Sequence, residues 1–115
     1  MKILILSLLR LGDIIAQEPL VRGLRHRYPQ AEIHMLVNDQ FLNVSSICEG
    51  IDSWRGLPRN RLQSLLAGSL SQHDEAFEML INLAEELNSE NYDMIFNFTN
   101  NYLSARLMDL LKANE

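Results

Sequence analysis

An α/β domain, a parallel sheet with helices on both of its faces, is what this sequence predicts, and three observations predict it. The run KILILSLL at 2–9 is apolar almost without interruption, as a strand covered on both sides must be. A second such run, AEIHMLV at 31–37, starts about thirty residues later, the repeat length of a strand–helix–strand unit. Strand and helix patterns then keep alternating to a third apolar run, YDMIFNF at 92–98, which is the signature of a layered α/β sheet. With 115 residues, 47% hydrophobic and 22% charged, the chain has the size and composition of one ordinary globular domain.

Each element has a local reason. Gly12 in LGD permits a sharp turn after the first strand, and Asp13 suits a helix N-cap or first turn. A helix follows to Arg27, divided by Pro19 into a short piece at 13–17 and a main piece with Pro19 as its first residue, because proline has no N–H to give to a preceding carbonyl. Leu20, Leu24 and Tyr28 form its apolar stripe, and Arg22, Arg25 and Arg27 take the other sides. YPQ at 28–30 stops the helix before the second strand at 31–37. Residues 38–50 read as a loop with a short helix over 40–48, and 51–54 as a short third strand. Residues 55–72, with Gly56, Pro58, Gly68 and three arginines, read as a mobile loop carrying a helical turn or two. From His73 the repeat Phe77, Leu80, Ile81, Ala84, Leu87 marks an amphipathic helix, with Asp74, Glu75 and Glu78 in its first turns. The strand at 92–98 comes next; TNN at 99–101 caps a last helix over 102–114.

Charge narrows the function. The net charge is −5, which argues against nucleic acid as a partner. Residues 1–61 carry eight basic and six acidic side chains, and residues 62–115 two basic and nine acidic. An anionic ligand is therefore better tolerated beside the first half. The apolar run at 3–9 is too short to span a bilayer. No export signal is evident, and the single cysteine, Cys48, forms no internal bridge. The cytoplasm is the expected compartment. His26, His34 and His73 lack metal-ligand spacing, so no metal is expected. Neither a G-x-G-x-x-G fingerprint nor a Walker A motif follows the first strand, which disfavours dinucleotide and P-loop chemistry.

In a doubly wound, Rossmann-like sheet, ligands bind beyond the carboxyl ends of the strands. Here those positions are 7–13, with Arg10, Gly12 and Asp13; Asn38 and Asp39; and 98–101, with Thr99, Asn100 and Asn101. Asp13 fits either a helix cap or a catalytic carboxylate. Arg10 fits bidentate recognition of a carboxylate or phosphate, or a solvated loop cation. Thr99 and Asn100 fit the cleft wall or the cap of the next helix.

The stretch 1–37 resembles the start of glycosyltransferase family 9, the ADP-heptose:lipopolysaccharide heptosyltransferases. A strand, Gly12-Asp13, Pro19-Leu20, Leu24-Arg25 and Tyr28-Pro29 follow in that order. YDMIFNFTNNYLSARLMDLL at 92–111 resembles a later strand–loop–helix of the same family, with Ser104 and Arg106 in the helix. The resemblance implies a two-domain GT-B fold. Residues 1–115 would be an incomplete N-terminal, acceptor-side Rossmann-like domain, without the C-terminal domain that binds most of the donor. It implies inverting transfer of a heptose from a nucleotide-sugar donor to an anionic lipopolysaccharide-type acceptor, with no cofactor. Asp13 is then the base, and Arg10, Gly12, Thr99 and Asn100 contact substrate. Arg55, Arg59 and Arg61 would help to recruit the acceptor. Such an acceptor places the work at the inner face of the inner membrane, with peripheral association. A chain of this length alone is expected to be inactive and to self-associate through the surface that the missing part would cover. The alternative is a non-catalytic Rossmann-like binding or interaction module. A receiver-like domain ranks last, since only Asp13 is acidic after the first strand.

Overall fold

The computed structural model describes residues 1–8, 11–46, 50–98 and 102–113. In chain order the elements are β1 (Lys2–Ser7), α1 (Leu11–Ala16), α2 (Glu18–Arg27), β2 (Glu32–Asn38), a 3₁₀ segment (Asp39–Ser46), β3 (Ser53–Leu57), α3 (Arg59–Leu66), α4 (Leu70–Asn88), β4 (Met94–Asn97) and α5 (Tyr102–Leu110). The four strands form one parallel sheet in the order β3-β2-β1-β4. The expected α/β, three-layer architecture is therefore present.

Strand alternation divides the core in two. Leu4 and Leu6 of β1, with Leu36 and Leu57, face Leu62 and Leu65 of α3, Leu80, Ala84 and Leu87 of α4, and Leu107 of α5. Ile3 and Ile5, with Ile33, Met35 and Val37, face Ile14 of α1 and Val21 and Leu24 of α2. The strand between the two halves is apolar throughout because both of its sides are covered. Trp54 packs against this second cluster. The break between α1 and α2 falls at Gln17, and Pro19 is the second residue of α2, one place later than expected.

Several expectations need correction. Residues 55–72 are not a mobile loop: β3 runs on to Leu57, α3 fills 59–66, and α4 starts at Leu70. Arginines hide α3 in the sequence, but Leu62 and Leu65 pack into the first cluster. The start of α4, three residues earlier than the charge pattern suggests, is set where the Gln72 side chain accepts from the Ser69 N–H at 2.9 Å, half of a capping box. Phe77 and Ile81 are exposed, and Ala76 takes the buried place instead. α5 ends at Leu110 rather than 114, and β4 is confined to Met94–Asn97. Gly12 is helical within α1 and its φ is not positive. Among the described residues the glycine with positive φ is Gly50, at 91°.

Gly56 is required for a different reason. A Cβ there would lie 2.9 Å from Asp39 Cβ and 3.0 Å from Asp39 Cα. Backbone on the neighbouring 3₁₀ segment cannot yield as a flexible side chain does. Gly56→Ala is expected to destabilise the fold by about 1–3 kcal/mol, as overpacking does, read from the urea midpoint.

Polar contacts tie the amino edge of the sheet. Arg25 at the end of α2 donates to the carbonyls of Ala31 and Gly50 and to Asp52 Oδ2. The same Asp52 oxygen accepts from the Ile33 N–H at 2.8 Å. Burial works against ionisation of Asp52, but the Ile33 N–H and the Arg25 guanidinium outweigh it and hold the carboxyl below its usual range. A carboxyl depressed in the folded state stabilises above its unfolded value of 3.8 and loses that contribution as pH falls through the folded value. Stability is expected to drop on acidification into that range, and Asp52→Asn to flatten part of the drop, measured by thermal melts from pH 6 to about pH 3.

On the other face, His34 is buried, with Nδ1 2.6 Å from the Tyr92 hydroxyl and Nε2 3.1 Å from Glu32 Oε2. A carboxylate only accepts, so Nε2 carries a proton; in the neutral ring Nδ1 then accepts from the tyrosine. Burial pushes the Tyr92 hydroxyl up to about 12, which keeps it a donor. His34 is thus a satisfied core residue, away from the ligand-binding end.

Candidate functional site

The carboxyl ends of the strands gather Ser7, Asn38, Leu57 and Asn97 along one edge. This is the edge at which α1 begins, and α1 carries Asp13 in its first turn. The sequence predicts this place because an apolar strand followed by Gly-Asp must leave the sheet there. Asp13 and Gly12 are both exposed. A Cβ on Gly12 would meet nothing within 4 Å, so protein packing does not demand glycine at that position. Arg10, Thr99, Asn100 and Asn101 lie outside the described residues. The structure thus locates Asp13 and Gly12 together and gives no position for their expected companions.

Two of the three buried polar side chains among the described residues, Ser7 and Asn38, sit at this same edge. Burying a polar group costs free energy unless it is hydrogen-bonded, so their concentration here sets the edge apart from the apolar interior. Asn38 donates to the Leu8 carbonyl at 2.9 Å. The Ser7 hydroxyl has no hydrogen-bond partner among the described residues. The sequence signal for both was their place at the end of an apolar run, which says where a residue is but not what it binds.

The three arginines of 55–61 are placed by β3 and α3, not by a loop. Arg55 lies 3.0 Å from Glu86 and 3.8 Å from Glu90, and Arg61 2.7 Å from Glu75. Arg59 opens α3 at the carboxyl end of the sheet, and its Nε is shielded from solvent with no partner among the described residues.

Two hollows lie elsewhere. One of about 230 Å³ is lined by Glu18, Val21, Arg22, Arg25 and Gly50 on the flank of α2. Both of its arginines are already paired, Arg22 with Glu18 and Arg25 with Asp52. Another of about 150 Å³ runs between α4 and α5, lined by Phe77, Leu80, Ile81, Arg106, Asp109 and Leu110. Asp13 faces solvent from the lip of the sheet, and neither hollow includes it. Among the described residues no three His, Cys, Asp or Glu side chains gather into a group able to hold a metal. No described helix is long and apolar enough to cross a membrane.

A parallel 3-2-1-4 sheet with both faces covered, and an exposed carboxylate where the first strand hands over to its helix, define a Rossmann-like α/β domain. No family model matches the chain. Over 102 residues it is 26% identical to lipopolysaccharide heptosyltransferase 3 of Escherichia coli K12, a match covering 89% of this chain and 27% of that protein. Its fold superposes on a family 9 glycosyltransferase of Veillonella parvula with a TM-score of 0.75 at 22% identity, over 97% of this chain and 30% of that one. With E. coli heptosyltransferase WaaC, solved with ADP-2-deoxy-2-fluoro heptose, the TM-score is 0.79 at 18% identity, over 98% and 35% of the two chains. The chain spans about a quarter of the length of the curated relatives it matches. Sequence and fold point the same way: the chain is similar to lipopolysaccharide heptosyltransferase 3 in sequence and shares its fold with part of family 9 glycosyltransferases.

Proposed function

We propose that this chain supplies the acceptor-side wall of an inverting glycosyltransferase that moves a heptose from ADP-heptose to a lipopolysaccharide-type acceptor, with Asp13 as the base. The observation that carries this reading is the exposed Asp13 in the first turn of α1, at the carboxyl edge of the sheet. The relatives' names and the nucleotide sugar in a structural neighbour supply the donor class. In the reaction, the acceptor oxygen bonds to the anomeric carbon of the sugar as the carbon–oxygen bond to the diphosphate breaks. The hydroxyl proton passes to Asp13, and the electron pair leaves with ADP. Attack opposite the leaving group inverts the carbon. Gly12, without a side chain, lets the acceptor approach the first turn of α1, and Arg10, Thr99 and Asn100 extend the contact. Arg59 attracts the anionic acceptor. A second domain, formed by sequence beyond this chain, binds most of the donor and closes the cleft, where exclusion of water strengthens each of these interactions. The work takes place at the cytoplasmic face of a membrane carrying the acceptor.

The test is transfer from ADP-heptose to a heptose-deficient lipopolysaccharide core. The full-length gene product is expected to turn over, and residues 1–115 alone to be silent. Donor binding without transfer to any such acceptor would leave only a binding module.

The isolated chain also self-associates in this reading. Among the described residues β4 is hydrogen-bonded on one side only, to β1. Its Met94, Ile95 and Phe96 are half-buried, and Phe98 beyond them is exposed and stacked on Phe96. An apolar edge strand of this kind pairs with another chain. Sedimentation velocity is expected to show a concentration-dependent dimer that Phe96→Lys disperses; a monomer at all concentrations would contradict it.

A further inference from the structure

We infer that Asn38 is a positioning residue for the turn that carries Asp13, an inference that rests on the glycosyltransferase reading for its consequence in turnover but not for its structural basis. The backbone pairing of β1 with β2 ends at Ser7 opposite Val37. One residue further, β1 has left the strand conformation, and Leu8 is the last described residue before α1 begins at Leu11. At that step the Asn38 side chain takes over from the backbone. Its Nδ2 donates to the Leu8 carbonyl at 2.9 Å, across thirty residues of sequence, and Asn38 is only 1% exposed. A carboxamide is chemically a peptide group, so the asparagine side chain adds a rung just beyond the last strand pairing, Ser7 opposite Val37.

The consequence is a fixed take-off direction. Leu8 is held twice: its side chain is 1% exposed within the first core cluster, and its carbonyl is held by Asn38. From this anchored residue the chain reaches α1 in three steps, and Asp13 follows in the first turn. Asn38 is itself held by β2, which pairs on both sides and places Asn38 opposite Leu57. The rigid centre of the sheet thereby orients an exposed six-residue helix that has little core of its own, with Ile14 its buried side chain among those described. A misplacement of about 1 Å at a reacting group is enough to cost on the order of 10²-fold in rate.

Asn38→Asp tests this without changing shape. The introduced carboxyl, when ionised, cannot donate to the Leu8 carbonyl; when protonated, it can. At pH 7 the amides of Ile15 and Ala16, which a helix starting at Leu11 bonds internally, are expected to lose about tenfold in hydrogen-exchange protection relative to the parent. Core amides of Ile5 and Met35 should keep theirs. As pH falls below the introduced carboxyl's pKa, which burial raises, the α1 protection is expected to return toward the parent's, whereas Asn38→Leu, which carries no charge and no donor, should stay loosened at every pH. In the full-length gene product, turnover at pH 7 should fall about 10–100-fold with KM for the donor unchanged. Parent-like α1 protection at pH 7, equal loosening of Ile5 and Met35, or unchanged turnover in a transferring parent would each overturn the inference. If the parent itself transfers no sugar, the glycosyltransferase reading fails, and the exchange profile still decides the role of Asn38.

Discussion

Asp13→Asn in the full-length protein is expected to lower heptose transfer by ~10²–10⁴-fold, the usual contribution of a positioned general base, and to leave the fold intact. Asp13 is exposed and contributes nothing to either core cluster, so the isosteric amide removes a basic oxygen without removing packing. The opposing effect is small. A carboxylate in the first turn of a helix gains only ~0.3–1 kcal/mol from the helix dipole. The dipole contribution alone corresponds to a shift of at most a few degrees in a domain this size. The two roles open to Asp13 therefore separate cleanly. If Asp13 is only a first-turn residue, the melting temperature falls slightly and turnover holds. If it takes the acceptor proton, turnover collapses while the melting temperature barely moves. Turnover within a few-fold of wild type, in a folded variant, would remove Asp13 from the chemistry.

Leu62→Ala is expected to cost about 2–5 kcal/mol, the range for truncating a buried leucine, and Phe77→Ala clearly less, since nearly half of that side chain stays in solvent. Pattern alone argues the reverse, since Phe77 falls on the helical repeat and Leu62 in a stretch rich in arginine. In the fold, Leu62 is 0% exposed on the inner side of α3, whereas Phe77 is 46% exposed beside the hollow between α4 and α5. A loss of this size removes much of the 5–15 kcal/mol that a domain commonly has, so Leu62→Ala should be partly unfolded at 37 °C. Urea unfolding of both variants decides it. Equal costs would mean that α3 does not pack as described.

The two cases show where sequence legibility ends. Continuous apolar runs mark β1 and β2 because a strand covered on both faces has no polar side to present. Pro19 and the YPQ stop mark α2 because proline removes an N–H donor wherever it stands. These are local constraints. By contrast, α3 shows only two buried leucines between arginines, and its burial depends on β3 and α4 arriving from elsewhere in the chain. Likewise Ala76, small and apolar, takes an inner place on α4 in the first cluster.

For the candidate site the division is similar. A strand followed by Gly-Asp located the crevice edge, and the family resemblance attached a role to Asp13. Neither showed that Asn38 reaches across to Leu8, nor that Arg55 and Arg61 are engaged by glutamates of α4 while Arg59 opens α3 at the edge. By itself the sequence determined the class of layered sheet, the strand ends at which a ligand would bind, and the carboxylate to suspect there. Only the tertiary structure decided which arginines are already paired, which hydrophobic residues are inside, and that Asn38 holds the Leu8 carbonyl. The physical reason is distance along the chain. Backbone periodicity and proline act within a few residues, whereas burial and side-chain pairing join segments that only the completed fold brings together.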